Sequence, residues 1–275
     1  MSTVPVRARP WQPDMPDSDV SNRVGRAIMS DNAGQLGGLL AGAFGVDVNG
    51  RLRGIPLLHL TAMNLSLRCA LRLLERGASV HRTARAYSGF GYQAIPVKEG
   101  DSVLHLTLRA VTGSHDEIPE SDVRKAMTLL EMFLLYGANP NHANIDMETP
   151  LFHALAAGRS FTRLILRAGG DPNARARDGD TALFRSFCVA DNSTIVLLLK
   201  SGADATARDA QGESSLERAI RMPCILKALL NHGAPQLTGA EGKRVWQKYV
   251  RNNFHPPLRR QLRKVRLAFT PDCFE

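Results

Sequence analysis

Cysteine is scarce: the 275 residues hold four, Cys69, Cys188, Cys224 and Cys273, separated by 119, 36 and 49 residues. No two stand at metal-chelating spacing, and the chain is too long and too poor in cysteine for a disulfide framework. The first three fall within helical apolar patterns, where a thiol behaves as a small hydrophobe, so a reducing compartment without disulfides is expected. Long hydrophobic runs are missing too. The longest falls far short of the roughly 20 residues that cross a bilayer, and no transmembrane segment is expected. Residues 1–20 contain Pro5, Pro10, Pro13 and Pro16 and no apolar run, which reads as neither signal peptide nor membrane anchor. The expected location is cytoplasmic or nuclear; delivery into a host cell without a cleavable signal stays open.

Catalytic signatures are absent as well. The chain has no serine nucleophile motif, no phosphate-binding glycine loop and no dinucleotide fingerprint. Gly89-Phe90-Gly91 offers two glycines with no following Walker-type lysine. Six histidines, His81, His115, His142, His153, His232 and His255, show no His-x-x-x-His or Cys-x-x-Cys partner, and zinc needs three or four convergent nitrogen or sulfur ligands. Neither enzymatic activity, nor a cofactor, nor a metal is expected.

What the chain does have is a repeat. Gly137 to Phe152, Gly169 to Phe184 and Gly202 to Glu217 are each fifteen residues, while Phe184 to Gly202 and His59 to Gly77 are each eighteen, giving a period of thirty-three. The recurring steps are Thr149-Pro150-Leu151, Thr181-Ala182-Leu183, Leu58-His59, Leu104-His105, Gly77-Ala78, Gly137-Ala138, Gly169-Gly170, Gly202-Ala203-Asp204 and Gly233-Ala234. With this period and these steps in register, the chain resembles the ankyrin repeat family over about residues 21–235. Phe152, Phe184 and Glu217 stand where the family has histidine, and Ser214-Ser215-Leu216 replaces its threonine-proline-leucine step.

The resemblance implies an all-α, ankyrin-repeat solenoid of about six helix-turn-helix repeats with two enlarged loops and a helical C-terminal cap. The expected repeats are about 21–49, 50–80, 96–140, 141–172, 173–205 and 206–235, preceded by a flexible arm at 1–20. Two stretches break the register: about thirteen extra residues in 81–100, which lengthen a finger, and about fourteen in 111–125, which lengthen a helix-to-helix loop. Asp19 or Ser21 is expected to cap a first helix ending near Met29, Asp31 a second, and Asp191 or Ser193 a later one. Past Ala234, residues 236–275 read as a basic helical cap or extension, with Val245, Trp246, Tyr249 and Val250 on one face. His59 and His105, together with the Thr149 and Thr181 hydroxyls, are implied to hydrogen-bond across the helix-turn junction.

The net charge of +9 is uneven. Lys243 to Glu275 holds nine basic and two acidic residues, +7, leaving +2 for the other 242 residues. The resemblance implies recognition through a concave face, where Leu60, Leu106, His153, Arg185 and Arg218 follow the structural histidine position. Finger tips add Arg51, Arg53, Ile145, Met147, Arg175, Arg177 and Arg208, with Asp178 and Asp209 as partial offsets. Arginine and aromatics are enriched at energetic centres of interfaces. The expected function is therefore a non-enzymatic, monomeric protein-interaction module. It would bind an acidic protein surface or segment through Tyr87, Phe90, Tyr92, His153, Arg175, Arg177, Arg185, Arg208 and Arg218. Two alternatives remain: an adaptor whose C-terminal helices recruit a second protein such as ubiquitin-ligase machinery, and a polyanion binder that meets nucleic acid or an anionic membrane through Arg259, Arg260, Arg263, Lys264 and Arg266.

Overall fold

A computed structural model describes residues 19–41, 46–52, 54–85, 96–112, 118–189, 191–252 and 268–270. The chain divides into two compact units, 1–153 and 154–275. In the first, α1 (Asp19–Met29) pairs with α2 (Ala33–Ala41), α3 (Leu57–Met63) with α4 (Leu67–Glu75), and α5 (Val103–Ala110) with α6 (Glu120–Leu135). Helix α7 (Pro150–Ala157) runs across the boundary. The second unit holds α8 (Arg159–Arg167), then α9 (Ala182–Val189) with α10 (Asn192–Lys200), α11 (Ser215–Arg218) with α12 (Pro223–Asn231), and α13 (Gly239–Asn252). The described residues thus form an all-α repeat fold of six helix-turn-helix pairs. Its one small sheet joins β1 (Arg51–Leu52) to β2 (Ile55–Pro56), antiparallel.

Most of these helices run only seven to nine residues, below the length at which a helix is stable alone in water. They persist by packing. In the first unit α3 lies on α5 and α4 on α6; in the second, α8 lies on α10, α9 on α11 and α10 on α12. Leu58, Leu73, Leu104 and Leu129 are buried in one core, Leu198, Leu216, Leu226 and Leu229 in the other. The glycine after each outer helix ends it: Gly202, with φ of 92°, donates its N–H to Leu199, and Ala203 N donates to the Leu198 carbonyl at 3.0 Å. Pro223 opens α12 at a position whose N–H would have no helical acceptor, and Asp191 caps α10 by accepting from Thr194 N at 2.6 Å.

Three local expectations are corrected. Asp31 does not cap α2; Asn32 does, accepting from Gln35 N at 2.9 Å. Asp31 instead turns to α4 and accepts from Cys69 N at 2.9 Å and Arg68 N at 3.3 Å. One repeat therefore caps the outer helix of the next, beside a Ser66 hydroxyl that donates to Ile28 O at 2.6 Å. The stretch 111–125 is not loop throughout: α6 begins at Glu120 and runs sixteen residues, because Pro119 sets its entry and acidic Glu120 and Asp122 favour its first turn. Finally, Cys69 is buried but Cys188 is exposed, on the solvent side of α9.

The junction between α7 and α8 is the single residue Gly158, at φ 111° and ψ 172°. That region is essentially closed to residues with a Cβ. A Cβ there would meet nothing within 4 Å, so the barrier is conformational, not steric crowding by neighbours. Gly158→Ala is expected to cost about 1–3 kcal/mol in urea unfolding, more than Gly202→Ala, whose left-handed φ other residues occasionally adopt. Equal losses at the two sites would contradict this account.

At the C-terminal end, Leu237 and Phe269 form a parallel bridge, with Leu237 N donating to Ala268 O at 2.7 Å and Thr270 N to Leu237 O at 3.0 Å. Phe269 and Val245 are buried, while Lys243 and Arg244 of α13 are exposed. Cys224, Trp246, Tyr249 and Val250 have side chains outside the described set, as do Leu258, Leu262 and Val265 entirely.

Candidate functional site

In the second unit, two fingers precede inner helices α9 and α11, closed by the bridges Arg175 to Thr181 and Arg208 to Ser214. The arginine that opens each finger is used by the fold. Arg175 Nη1 donates to Gly179 O at 2.8 Å and to Arg208 O of the next finger at 3.2 Å. Arg208 Nη1 donates to Gly212 O at 2.6 Å. Arg51, at the same position in the first unit, donates to Gly54 O at 2.8 Å and Thr83 O at 3.2 Å. These guanidinium groups tie a finger to itself, and in two cases to its neighbour.

The inner-helix arginines are held between carboxylates. Arg185 Nη2 lies 2.6 Å from Asp178 Oδ2 and its Nε 3.8 Å from Asp180. Arg218 Nη2 lies 3.0 Å from Asp209 Oδ2 and its Nε 3.1 Å from Glu213. Asp209 is buried, its other oxygen accepting from Gln211 N at 2.9 Å and Glu213 N at 2.8 Å. Partial burial and the Asp178 charge push the Asp180 carboxyl above its ordinary value. Arg185 and Arg218 keep side-chain exposures of 30% and 33%, and Arg177 is exposed on the first finger. The surface expected to be arginine-lined is thus an alternating ladder, in which Asp178, Asp180, Asp209 and Glu213 nearly cancel Arg175, Arg177, Arg185, Arg208 and Arg218. Composition gave the arginines; it gave no distance to their carboxylates.

The first unit departs further from expectation. Leu60 and Leu106 are buried at 6% and 0% exposure, and no residue of α3 is exposed. Inner helices there offer no open leucine face. His153 is half-buried, its Nε2 3.4 Å from Arg109 Nη2 and 3.5 Å from Glu148. Arg109 is the residue that sequence reasoning missed. It lies 2.6 Å from Asp101, which is wholly buried, and donates to Pro96 O at 2.7 Å. Asp101 also accepts from Asn144 Nδ2 at 3.0 Å and Lys98 N at 2.7 Å. Burial raises the Asp101 carboxyl's pKa, and Arg109 works against that rise. Finger-tip Ile145 and Met147 are exposed.

His59 and His105 tie helix to finger. His105 Nδ1 accepts from Ser102 Oγ at 2.8 Å and Ser102 N at 3.2 Å, so its proton sits on Nε2, which donates to Glu148 O at 2.9 Å. His59 Nε2 reaches Asp101 O at 3.2 Å. Burial pushes both imidazoles down to about 3, so both are neutral. Thr181 Oγ1 accepts from Phe184 N at 3.5 Å, but Thr149 Oγ1, expected to act alike, has no partner among the described residues. Tyr87, Phe90, Tyr92, Arg53, Arg259, Arg260, Arg263, Lys264 and Arg266 lie outside the described residues.

Among the described residues no group of three or more His, Cys, Asp or Glu could hold a metal ion, and no helix is long and apolar enough to cross a membrane. Burial pushes the Cys69 thiol up to about 12, which removes it as a nucleophile. No protein-family model matches the chain, and no curated protein matches it. Its structure is similar to the crystal structure of an ankyrin repeat domain from Acinetobacter baumannii AYE, with a TM-score of 0.60 and 24% identity, over 77% of this chain and 97% of that one.

Proposed function

From a chain that has the ankyrin-repeat fold, we propose a non-enzymatic protein-interaction module that grips acidic side chains of a protein partner along the ladder of Arg177, Arg185 and Arg218. One observation carries this reading: in successive repeats a guanidinium is pinned by two carboxylates yet remains about one third exposed. A pinned planar fork has already lost the rotamer freedom that binding would otherwise remove. A partner carboxylate meets its open edge in a charge-assisted bond. Because the ladder is nearly neutral, affinity comes from local pairing and not from long-range attraction. Arg175 and Arg208 brace the fingers through main-chain oxygens.

A random peptide library selected on the wild-type protein tests the proposal. Enriched peptides are expected to carry acidic residues and to lose about tenfold or more in affinity toward the Arg177→Glu, Arg185→Glu double variant. Arg218 is left intact in that variant because its removal would strand buried Asp209. Peptides without acidic enrichment, or equal affinity for both proteins at matched melting temperature, reject the ladder as the recognition surface.

A further inference from the structure

The arginines that lack protein partners are not on the ladder. In the second unit the outer helices α8, α10 and α12 carry Arg159, Arg163, Arg167, Lys200 and Lys227 and not one Asp or Glu. Between α8 and α10 lies a cleft of about 270 Å³ lined by Arg163, Leu166, Arg167, Leu197 and Ser201. The side chains of Arg163, Arg167 and Ser201 have no hydrogen-bond or ion-pair partner among the described residues, unlike Arg175, Arg185, Arg208 and Arg218, which are all engaged. The carboxylates that follow these helices are occupied: Asp171 accepts from Asn173 N at 2.8 Å and Asp204 from Thr206 N at 2.8 Å. Asp191 lies at the opposite end of α10, bonded to Thr194 and Ser193.

We propose that this cleft is a second binding site, specific for a phosphate monoester on a phosphorylated protein segment. Two guanidinium groups and a hydroxyl supply donors for a phosphate's oxygens. Their two full charges exceed the partial negative charge, about half a unit each, at the nearby helix C-termini. Leu166 and Leu197 give the floor apolar contact for the residue that carries the phosphate. The observations favour a phosphorylated segment over the other polyanions. No aromatic side chain lines the cleft to stack a base. Among the described residues no large exposed hydrophobic stands on these three helices to enter a membrane. The volume suits one side chain and its phosphate, not a run of backbone phosphates. This site is independent of the ladder on the fingers.

The test follows the arginine Nε–H signals of the full chain by NMR during titration with N-acetyl-O-phosphoserine amide, with N-acetylserine amide as control. Saturable shifts at Arg163 and Arg167 are expected with the phosphorylated probe alone, at millimolar affinity. Arg167→Gln or Arg163→Gln weakens binding by about tenfold or more, and Lys227→Gln by less than about twofold. The proposal is overturned by the absence of saturation, by equal response to both probes, or by shifts of the same size at Arg159. It is overturned too if phosphatidylserine vesicles or mixed-sequence duplex DNA move these signals while the phosphoserine probe does not.

Discussion

Replacing Arg109 by alanine is expected to cost about 3–5 kcal/mol of stability, the range for stranding a buried charge. Asp101 has no solvent access, and after the replacement only Asn144 Nδ2 and Lys98 N would remain to bond its side chain. The loss should shrink in acid, because the carboxyl's pKa is already raised by burial and Arg109 is the main charge opposing that rise. Without Arg109 the site favours the neutral acid, and folding then requires a proton. The double variant Arg109→Met, Asp101→Asn removes both charges and should recover much of the loss, since a buried pair contributes little beyond an isosteric neutral replacement. Urea unfolding of the three proteins at neutral and acidic pH measures this. A single-variant loss below about 1 kcal/mol, within the range of an exposed pair, would mean that water reaches Asp101 after all.

The second large effect is acid lability. His59 and His105 are neutral in the folded protein down to about pH 3, against an ordinary value of 6.5. Below pH 6.5 the unfolded chain therefore binds two protons that the folded chain refuses, and stability falls as pH drops toward 3. Through the middle of that window, near pH 5, the two together give a slope of roughly 2–3 kcal/mol per pH unit. Asp101 works in the other direction once pH reaches its raised folded range, and so flattens the lower end of the curve. The lowered carboxyls of Asp191 and Asp204 add their own loss only as pH falls below the ordinary aspartate range. Unfolding free energies at successive pH values should show the slope, and His105→Gln should roughly halve it. Stability that stays flat from pH 7 to 5 would mean that the folded state admits those protons.

Much of the repeat could be read from local sequence because its signals are local. A glycine that ends a helix, a proline at a first helical position and an apolar stripe at helical spacing each act within a few residues. What was hidden depends on distance between repeats or on neighbours far along the chain. Asp31 reads as a cap for α2, yet its acceptors serve α4, 37 and 38 residues away. Arg109 reads as a polar residue on a short helix, and only the fold brings Pro96, Asp101 and His153 around it. The arginines of the ladder and two of their carboxylates, Asp178 and Asp209, are legible in the sequence, whereas the part of Asp180 and Glu213 depends on how each finger folds back on its helix. Arg163 and Arg167 cannot be singled out from sequence, because a charge on an outer helix looks alike whether or not it has a partner. Burial of Leu60 and Leu106 was missed for a similar reason: periodicity tells which side a residue faces, not what else covers that side.

The finger arginines Arg51 and Arg175 reach the following finger through main-chain oxygens alone. Every residue type carries such an oxygen, so this clasp survives whatever side chain evolves beside it. A lysine, with one nitrogen in place of a rigid fork, would hold fewer of these points. Where such an arginine stands, adjacent repeats can drift apart in sequence without losing this tie between them.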